Sequence, residues 1–181
     1  LLTALLVFGS ISIVLGAEPS EYILSNGMKV LLVEVPKAPV ATVQVWYKVG
    51  SRNEVMGRAG LSHMLEHMMF KGTARYPKGS FSRIVRKNGG IDNAFTGQDF
   101  TAYFENMAAD RVGLALELEA DRMQGLLLDH SEFQTERDVV KEERRLRSED
   151  DPQGALVEAL FAQAFLSHPY HWPVIGWFAD L

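Results

Sequence analysis

Residues 60–70 read Gly-Leu-Ser-His-Met-Leu-Glu-His-Met-Met-Phe, and this mostly apolar run predicts a helix that ends near Lys71-Gly72-Thr73. On a helix, His63 and His67 lie on one face, about 6 Å apart along the axis, so both imidazoles can reach the same metal ion. Glu66 comes directly before His67, and its carboxylate can flank that ion without binding it. A carboxylate in this place can take a proton from a water whose pKa the metal lowers towards about 7.

The order H-x-x-E-H is the reverse of the H-E-x-x-H motif and is the pattern of the inverzincin peptidases. The alternative is a helix with two incidental histidines, and composition alone would produce the motif in fewer than roughly one in fifty chains of this length. The apolar neighbours Met64, Leu65 and Met68 would bury this helix, where unpaired polar groups are costly. The motif therefore predicts a metal site with a base beside it.

A catalytic zinc site needs a third protein ligand and one open position, so two histidines are not enough. The candidates lie in the acidic segment 136–143, Glu-Arg-Asp-Val-Val-Lys-Glu-Glu. Glu136 and Glu143 are two helical turns apart and share a face, whereas Glu142 points about 100° away from Glu143. Spacing alone leaves these three glutamates as rival ligands.

The rest of the sequence predicts strand pairs followed by helices. Residues 28–35 and 40–49 are β-like runs separated by Pro36 and Pro39, which favours a hairpin. A second strand pair is predicted at 91–96 and 100–106, and the predicted helices are 80–88, 110–128, 131–148 and 154–166. Ser131 and Gln134 have the spacing of a capping box at the start of their helix. This order predicts an α+β fold, with a mainly antiparallel sheet packed against helices.

Composition and charge exclude some classes of function. Hydrophobic residues make up 47% and charged residues 23% of the 181 residues, which is typical of a globular domain. The net charge of -5 offers no basic surface, so nucleic-acid binding is disfavoured. The basic cluster at 144–147, Arg-Arg-Leu-Arg, lies among acids and is interpreted as a solvated helix face.

The first 17 residues are uncharged and strongly apolar, and small residues, Gly16 and Ala17, precede the polar Glu18-Pro19-Ser20. This pattern is typical of the apolar region and cleavage end of a secretory signal, here without its basic start. We therefore predict an exported, periplasmic protein, with an uncleaved membrane anchor as the alternative. The chain has no cysteine, so neither a disulfide nor a lipid-modified cysteine stabilises or tethers it.

Residues 22–181 resemble the pitrilysin (insulinase) family of zinc peptidases, which includes mitochondrial processing peptidases. The likeness is carried by Gly-Leu-Ser-His-Met-Leu-Glu-His-Met-Met-Phe-Lys-Gly-Thr at 60–73 and by Arg-Asp-Val-Val-Lys-Glu-Glu at 137–143. It implies that Glu143, 76 residues after His67, is the third zinc ligand beside His63 and His67, with Glu66 as the catalytic base. Glu136 matches the second acidic residue of the family, which is expected to orient the site.

The resemblance also implies a substrate track and a partner. Residues 92–96 and 101–103 are similar to the strand pair beside the family's site, where an edge strand pairs with the extended substrate, so Asn93 and Ala94 are predicted to position the peptide. Family members continue into a second, similar half that lacks the metal motif, and the two halves close around a chamber. Residues 22–181 would then be the first half, truncated before the second.

These observations predict a zinc-dependent endopeptidase domain that binds one zinc ion and acts on peptides or unfolded segments. A non-catalytic, peptide-binding partner subunit is one alternative, although such subunits typically lose motif residues and here all four positions are intact. An inactive gene fragment is the other alternative.

Overall fold

The computed structural model describes residues 18–181, and the chain divides between Pro39 and Val40 into two compact units. The first unit contains an antiparallel hairpin of β1 (Ser20–Ile23) and β2 (Lys29–Leu32). Residues 1–17, the predicted signal segment, lie outside the described residues. From residue 18 onwards, no helix is both long and apolar enough to cross a bilayer.

The second unit contains a three-stranded antiparallel sheet in the order β3-β5-β4, formed by β3 (Val40–Tyr47), β4 (Ile91–Thr96) and β5 (Thr101–Ala108). All eight residues of β3 pair with β5, and β5 pairs with β4 across a short turn. Alternate residues of β3 are partly buried, as expected for a strand with one face against the core. Strand β4 is therefore an edge strand of this sheet.

The hairpin predicted from residues 28–35 and 40–49 is wrong. Strand β2 pairs with β1, and β3 pairs with β5. A tight turn explains the first pairing, because Gly27 takes a positive φ of 83° and the side chain of Asn26 accepts a hydrogen bond from the backbone of Met28 at 3.0 Å. A local hairpin therefore forms between β2 and Ser20–Ile23, a segment for which no strand was predicted.

Five α-helices complete the second unit: α1 (Leu61–Met68), α2 (Ser80–Lys87), α3 (Val112–Gly125), α4 (His130–Arg144) and α5 (Pro152–Ala164). A π-helical turn, Arg145–Glu149, continues α4. The predicted capping box of Ser131 and Gln134 is wrong, because α4 begins one residue earlier. The side chain of Asp129 caps it by accepting from the backbone N–H groups of Ser131 and Glu132.

The core of the second unit lies where α2 and α3 pack on β5. Its buried apolar residues are Phe81, Val85, Met107, Ala115 and Leu118. Helices on an antiparallel sheet confirm the predicted α+β class. A second, smaller apolar cluster joins α1 to α4 and is described with the site below.

A buried charged cluster also joins β5 to α3. The guanidinium of Arg122 donates from Nε to Oε2 of Glu119 at 2.8 Å and from a terminal nitrogen to Oε1 of Glu105 at 3.3 Å. It also lies 4.3 Å above the ring of Phe81 and 4.4 Å above that of Tyr103. Burial and the adjacent Glu119 raise the pKa of Glu105 to about 9, so Glu105 holds a proton at neutral pH.

Candidate metal centre

Helix α1 is held against α4 by one apolar face. Met64 and Met68, one turn apart on α1, are buried and pack with the fully buried Val140 of α4. The residues directly before these methionines are His63 and His67, so the imidazoles form the adjacent face of the same helix. Packing of the methionines therefore fixes the direction in which both histidines point.

The start of α1 is fixed by a carboxylate and by two glycines. Glu54 accepts hydrogen bonds from the backbone N–H groups of Gly60 and Ser62, both at 2.7 Å, and thereby satisfies free donors of the first turn. Burial raises the pKa of Glu54 above its usual value. Gly60 has a φ of 92°, and a Cβ there would lie 2.6 Å from the carbonyl oxygen of Ile175 and 2.9 Å from Cα of Gly176. A larger residue at position 60 would displace the helix start.

Three side chains converge beside α1 in the arrangement of a metal site. One ligand atom each from His63, His67 and Glu143 lies within 4.8 Å of the other two. Oε2 of Glu143 is 3.3 Å from Nε2 of His67 and 3.8 Å from Nε2 of His63. Two imidazoles and one carboxylate suit a divalent ion such as zinc.

The protonation of His63 also fits a metal ligand. His63 is buried, and its Nδ1 has no hydrogen-bond partner among residues 18–181. Burial and the neighbouring His67 lower the pKa of His63 to about 4, so the imidazole is neutral at physiological pH. A neutral imidazole is the form that binds a metal.

The three rival glutamates of α4 occupy different environments. Glu143 faces the two histidines, whereas Glu136 lies on the far side of His67 and accepts from its Nδ1 at 3.0 Å. The side chain of Glu142 is 60% exposed and pairs with Arg145 at 2.8 Å. Val140 comes four residues after Glu136 and three before Glu143, so the face of α4 that packs on α1 also presents these two carboxylates.

Hydrogen bonds around His67 favour the charged forms of His67 and Glu136. Burial alone would raise the pKa of Glu136, but hydrogen bonds from Lys71 and His67 outweigh it and lower that pKa. Burial would likewise lower the pKa of His67, but hydrogen bonds to Glu143 and Glu136 raise it. Nδ1 of His67 is the donor towards Glu136, which leaves Nε2 directed at Glu143.

Glu66 lies on the same helix and is anchored by the edge strand. Its carboxylate accepts a hydrogen bond from the hydroxyl of Thr96, the last residue of β4. Burial raises the pKa of Glu66, as expected for a carboxylate that exchanges a proton near neutral pH. Asn93 and Ala94 lie three and two residues before Thr96 on β4, and Ala94 pairs with Tyr103 of β5.

A sequence profile described as "Insulinase (Peptidase family M16)" matches residues 29–176. The chain belongs to the insulinase family, M16. The resemblance inferred from the two sequence motifs is thus confirmed, and with it a peptidase function for the family to which the chain belongs.

Relatives and a solved structure give the extent of the likeness. The chain is 45% identical over 159 residues to the zinc protease PqqE of Helicobacter pylori, covering 87% of this chain and 36% of that protein. It is 34% identical over 160 residues to the uncharacterized zinc protease YmxG of Bacillus subtilis, covering 38% of that protein. The crystal structure of a protease from Helicobacter pylori superposes with a TM-score of 0.89 at 44% identity, over 92% of this chain and 40% of that one. The M16 chain therefore spans well under half the length of these relatives.

Four residues for which the sequence predicted no functional role lie close to this site: Glu54, Lys71, Thr96 and Arg147. Lys71 follows His67 by four residues and Arg147 follows Glu143 by four, so helical spacing was the available signal. The interpretation of 144–147 as a solvated face is wrong for Arg144. That side chain is buried and donates to Glu158 at 2.7 Å and to the carbonyl of Gly176 at 2.7 Å.

Proposed function

We propose that this M16 chain is the zinc-binding, catalytic part of an endopeptidase, in which His63, His67 and Glu143 hold zinc and Glu66 is the base. The convergence of two imidazoles and a carboxylate beside a helix that also carries Glu66 supports this proposal most strongly. Zinc in such a site would polarise the scissile carbonyl and acidify a water.

Glu66 would move the proton during hydrolysis. It would accept a proton from the attacking water while the water oxygen adds to the carbonyl carbon, and it would deliver that proton to the amine nitrogen as the C–N bond breaks. The hydrogen bond from Thr96 would keep the carboxylate on the side of the edge strand.

We propose that Asn93 and Ala94 position the substrate. Strand β4 has β5 on one side, and no second strand lies beside it within the part of the chain that the structure describes. An extended peptide could add to this edge by backbone hydrogen bonds, which would bring its main chain towards Glu66. Substrates would then be peptides or unfolded segments, because these can lie extended along β4, whereas most strands of a folded domain are already paired within it.

Replacement of Glu66 tests the mechanism. Glu66→Gln should keep zinc bound and lower peptide cleavage by roughly 10²- to 10⁴-fold, because the amide cannot accept the proton. Zinc content by metal analysis and cleavage of a quenched fluorescent peptide library measure the two effects. Glu142→Gln on the exposed face of α4 is the matched control and should cleave like the unaltered protein. An active Glu66→Gln protein would contradict the proposal.

We also propose that a second homologous half closes the site and that the protein is exported. The M16 chain covers 36% of PqqE, which leaves room for a half of similar size in relatives. Export is proposed from the apolar segment 1–17 alone. Cleavage assays with and without the second half, supplied in the same chain or as a separate subunit, test the first point.

A further inference from the structure

Two carboxylates of the candidate site divide their oxygens in the same way. Glu136 uses Oε1 for Nδ1 of His67 at 3.0 Å, and its Oε2 accepts from the ammonium of Lys71. Glu143 directs Oε2 at the two histidines, and its Oε1 accepts from Arg147 at 2.9 Å. In each carboxylate, one oxygen faces a histidine nitrogen and the other pairs with a cationic side chain.

The two cations differ in burial. The side chain of Lys71 is 16% exposed and that of Glu136 is 10% exposed, whereas the side chain of Arg147 is 71% exposed. Water and salt screen an exposed ion pair, so Arg147 can hold Glu143 only weakly. Removing one partner of a buried pair leaves an uncompensated charge, so Lys71 has the larger effect on its carboxylate.

Lys71 also has a fixed position relative to His67. It follows the end of α1, where its backbone N–H donates to the carbonyl of Met68 at 2.9 Å. The ammonium and the imidazole therefore reach Glu136 from one continuous segment, while Glu136 itself comes from α4. If the carboxylate of Glu136 turned, Nδ1 of His67 would lose its acceptor, and nothing would then select the tautomer that leaves Nε2 free for a metal.

We propose that Lys71 is a positioning residue for metal binding: it holds Glu136 so that its other oxygen fixes the ring of His67, with Arg147 making a smaller, solvent-screened contribution through Glu143. This inference rests on the proposed zinc site. A positioning role for the Lys71–Glu136 pair differs from a purely structural role in one respect. A structural pair would change the stability of the metal-free protein, whereas a positioning pair changes affinity for the metal beyond any such effect.

The experiment measures zinc affinity by competition with a chromogenic chelator, and folding stability of the metal-free protein by denaturant unfolding. Lys71→Met should weaken zinc binding by about 10- to 100-fold, which is the usual effect of losing a residue that orients a ligand. Lys78→Met is the matched control. Lys78 lies in the same connection after α1 and pairs with Glu132 of α4, but its side chain is 54% exposed. The zinc affinity of the Lys78→Met protein should stay within about 2-fold of that of the unaltered protein.

A double-mutant cycle shows whether Lys71 acts through Glu136. Glu136→Gln should weaken zinc binding to a similar extent, and adding Lys71→Met to it should cause no further loss. The double variant carries neither charge of the buried pair, so its comparison with Glu136→Gln decides the matter even where Lys71→Met alone does not fold. The visible absorption of the Co²⁺-loaded proteins gives a second readout, and a changed spectrum in both single variants is expected.

Several results would overturn the inference without touching the proposed function. Zinc affinity of Lys71→Met equal to that of the unaltered protein would do so, as would an additional loss in the double variant. The inference would also fail if Lys71→Met and Lys78→Met both lost zinc affinity, each in proportion to its loss of folding stability. If the unaltered protein binds no zinc, the proposed function itself fails, and that result is distinct from all three.

Discussion

At the residue scale, the candidate site depends on Glu66, the proposed base, and on the side chain that holds Glu66 in place. Glu66 accepts a side-chain hydrogen bond from Thr96, and this bond joins α1, which carries the candidate metal site, to the edge strand β4. A hydrogen bond to a carboxylate is stronger than one between neutral groups, so its loss should be measurable in catalysis.

Thr96→Val should lower kcat by about 10- to 100-fold with a smaller change in KM, because the methyl cannot donate to Glu66. Thr96→Ser keeps the hydroxyl and should restore most of the rate. Steady-state kinetics on one fluorogenic peptide, with zinc content checked for each variant, measure both. Equal kcat for the valine variant and the unaltered protein would show that the bond does not position the base.

Sequence was sufficient where one helix determines the geometry. His63, Glu66 and His67 are neighbours on α1, so their shared face follows from helical spacing. The choice among three glutamates did not follow, because it depends on how α4 docks on α1. The contacts that decide the docking are long-range in sequence, between Met64, Met68 and Val140. Only the resemblance to the family singled out Glu143, and the role of Glu143 as a ligand stays a prediction.

At the element scale, the packing of α1 on α4 brings the two parts of the site together. Strand and helix positions were largely predicted, since apolar periodicity is a local property. The local pairing of β4 with β5 was also predicted and is confirmed. The pairing of β3 with β5 was not predicted, because the two strands lie far apart in sequence and nothing between them records this choice. The same limit applies to Arg144, whose partners Glu158 and Gly176 lie far along the chain.

Val140→Ala should lower the free energy of unfolding by roughly 2 kcal/mol, because two buried methyl groups are lost and a cavity remains. It should also weaken zinc binding, since Glu136 and Glu143 flank Val140 on the same face. Val139→Ala is the control: its side chain is exposed, and the change should be within about 0.5 kcal/mol. Denaturant unfolding and chelator competition measure the two effects. A destabilised Val140→Ala protein with unchanged zinc affinity would show that the docking of α4 does not set the site.

At the scale of the whole molecule, stability should depend on pH through the buried cluster of Glu105, Glu119 and Arg122. The native pKa of Glu105, about 9, lies above its usual value near 4.5, so the native state binds more protons than the unfolded state between these values. The stabilisation is therefore complete below about pH 4.5 and is lost as pH rises towards 9. One arginine between two buried carboxylates can neutralise only one of them, and the proton on Glu105 neutralises the other.

Glu105→Gln should remove this dependence, because an amide keeps the shape and a donor for Glu119 but does not ionise. The free energy of unfolding of the metal-free protein, measured from pH 5 to 9, should fall less steeply in the variant, by at most about 1.4 kcal/mol per pH unit for one proton. The variant should therefore gain stability relative to the unaltered protein as pH rises. Glu142→Gln, on the exposed face of α4, should leave the slope unchanged. Parallel slopes for Glu105→Gln and the unaltered protein would mean that Glu105 is ionised in the native state, with Arg122 holding both carboxylates as charged partners.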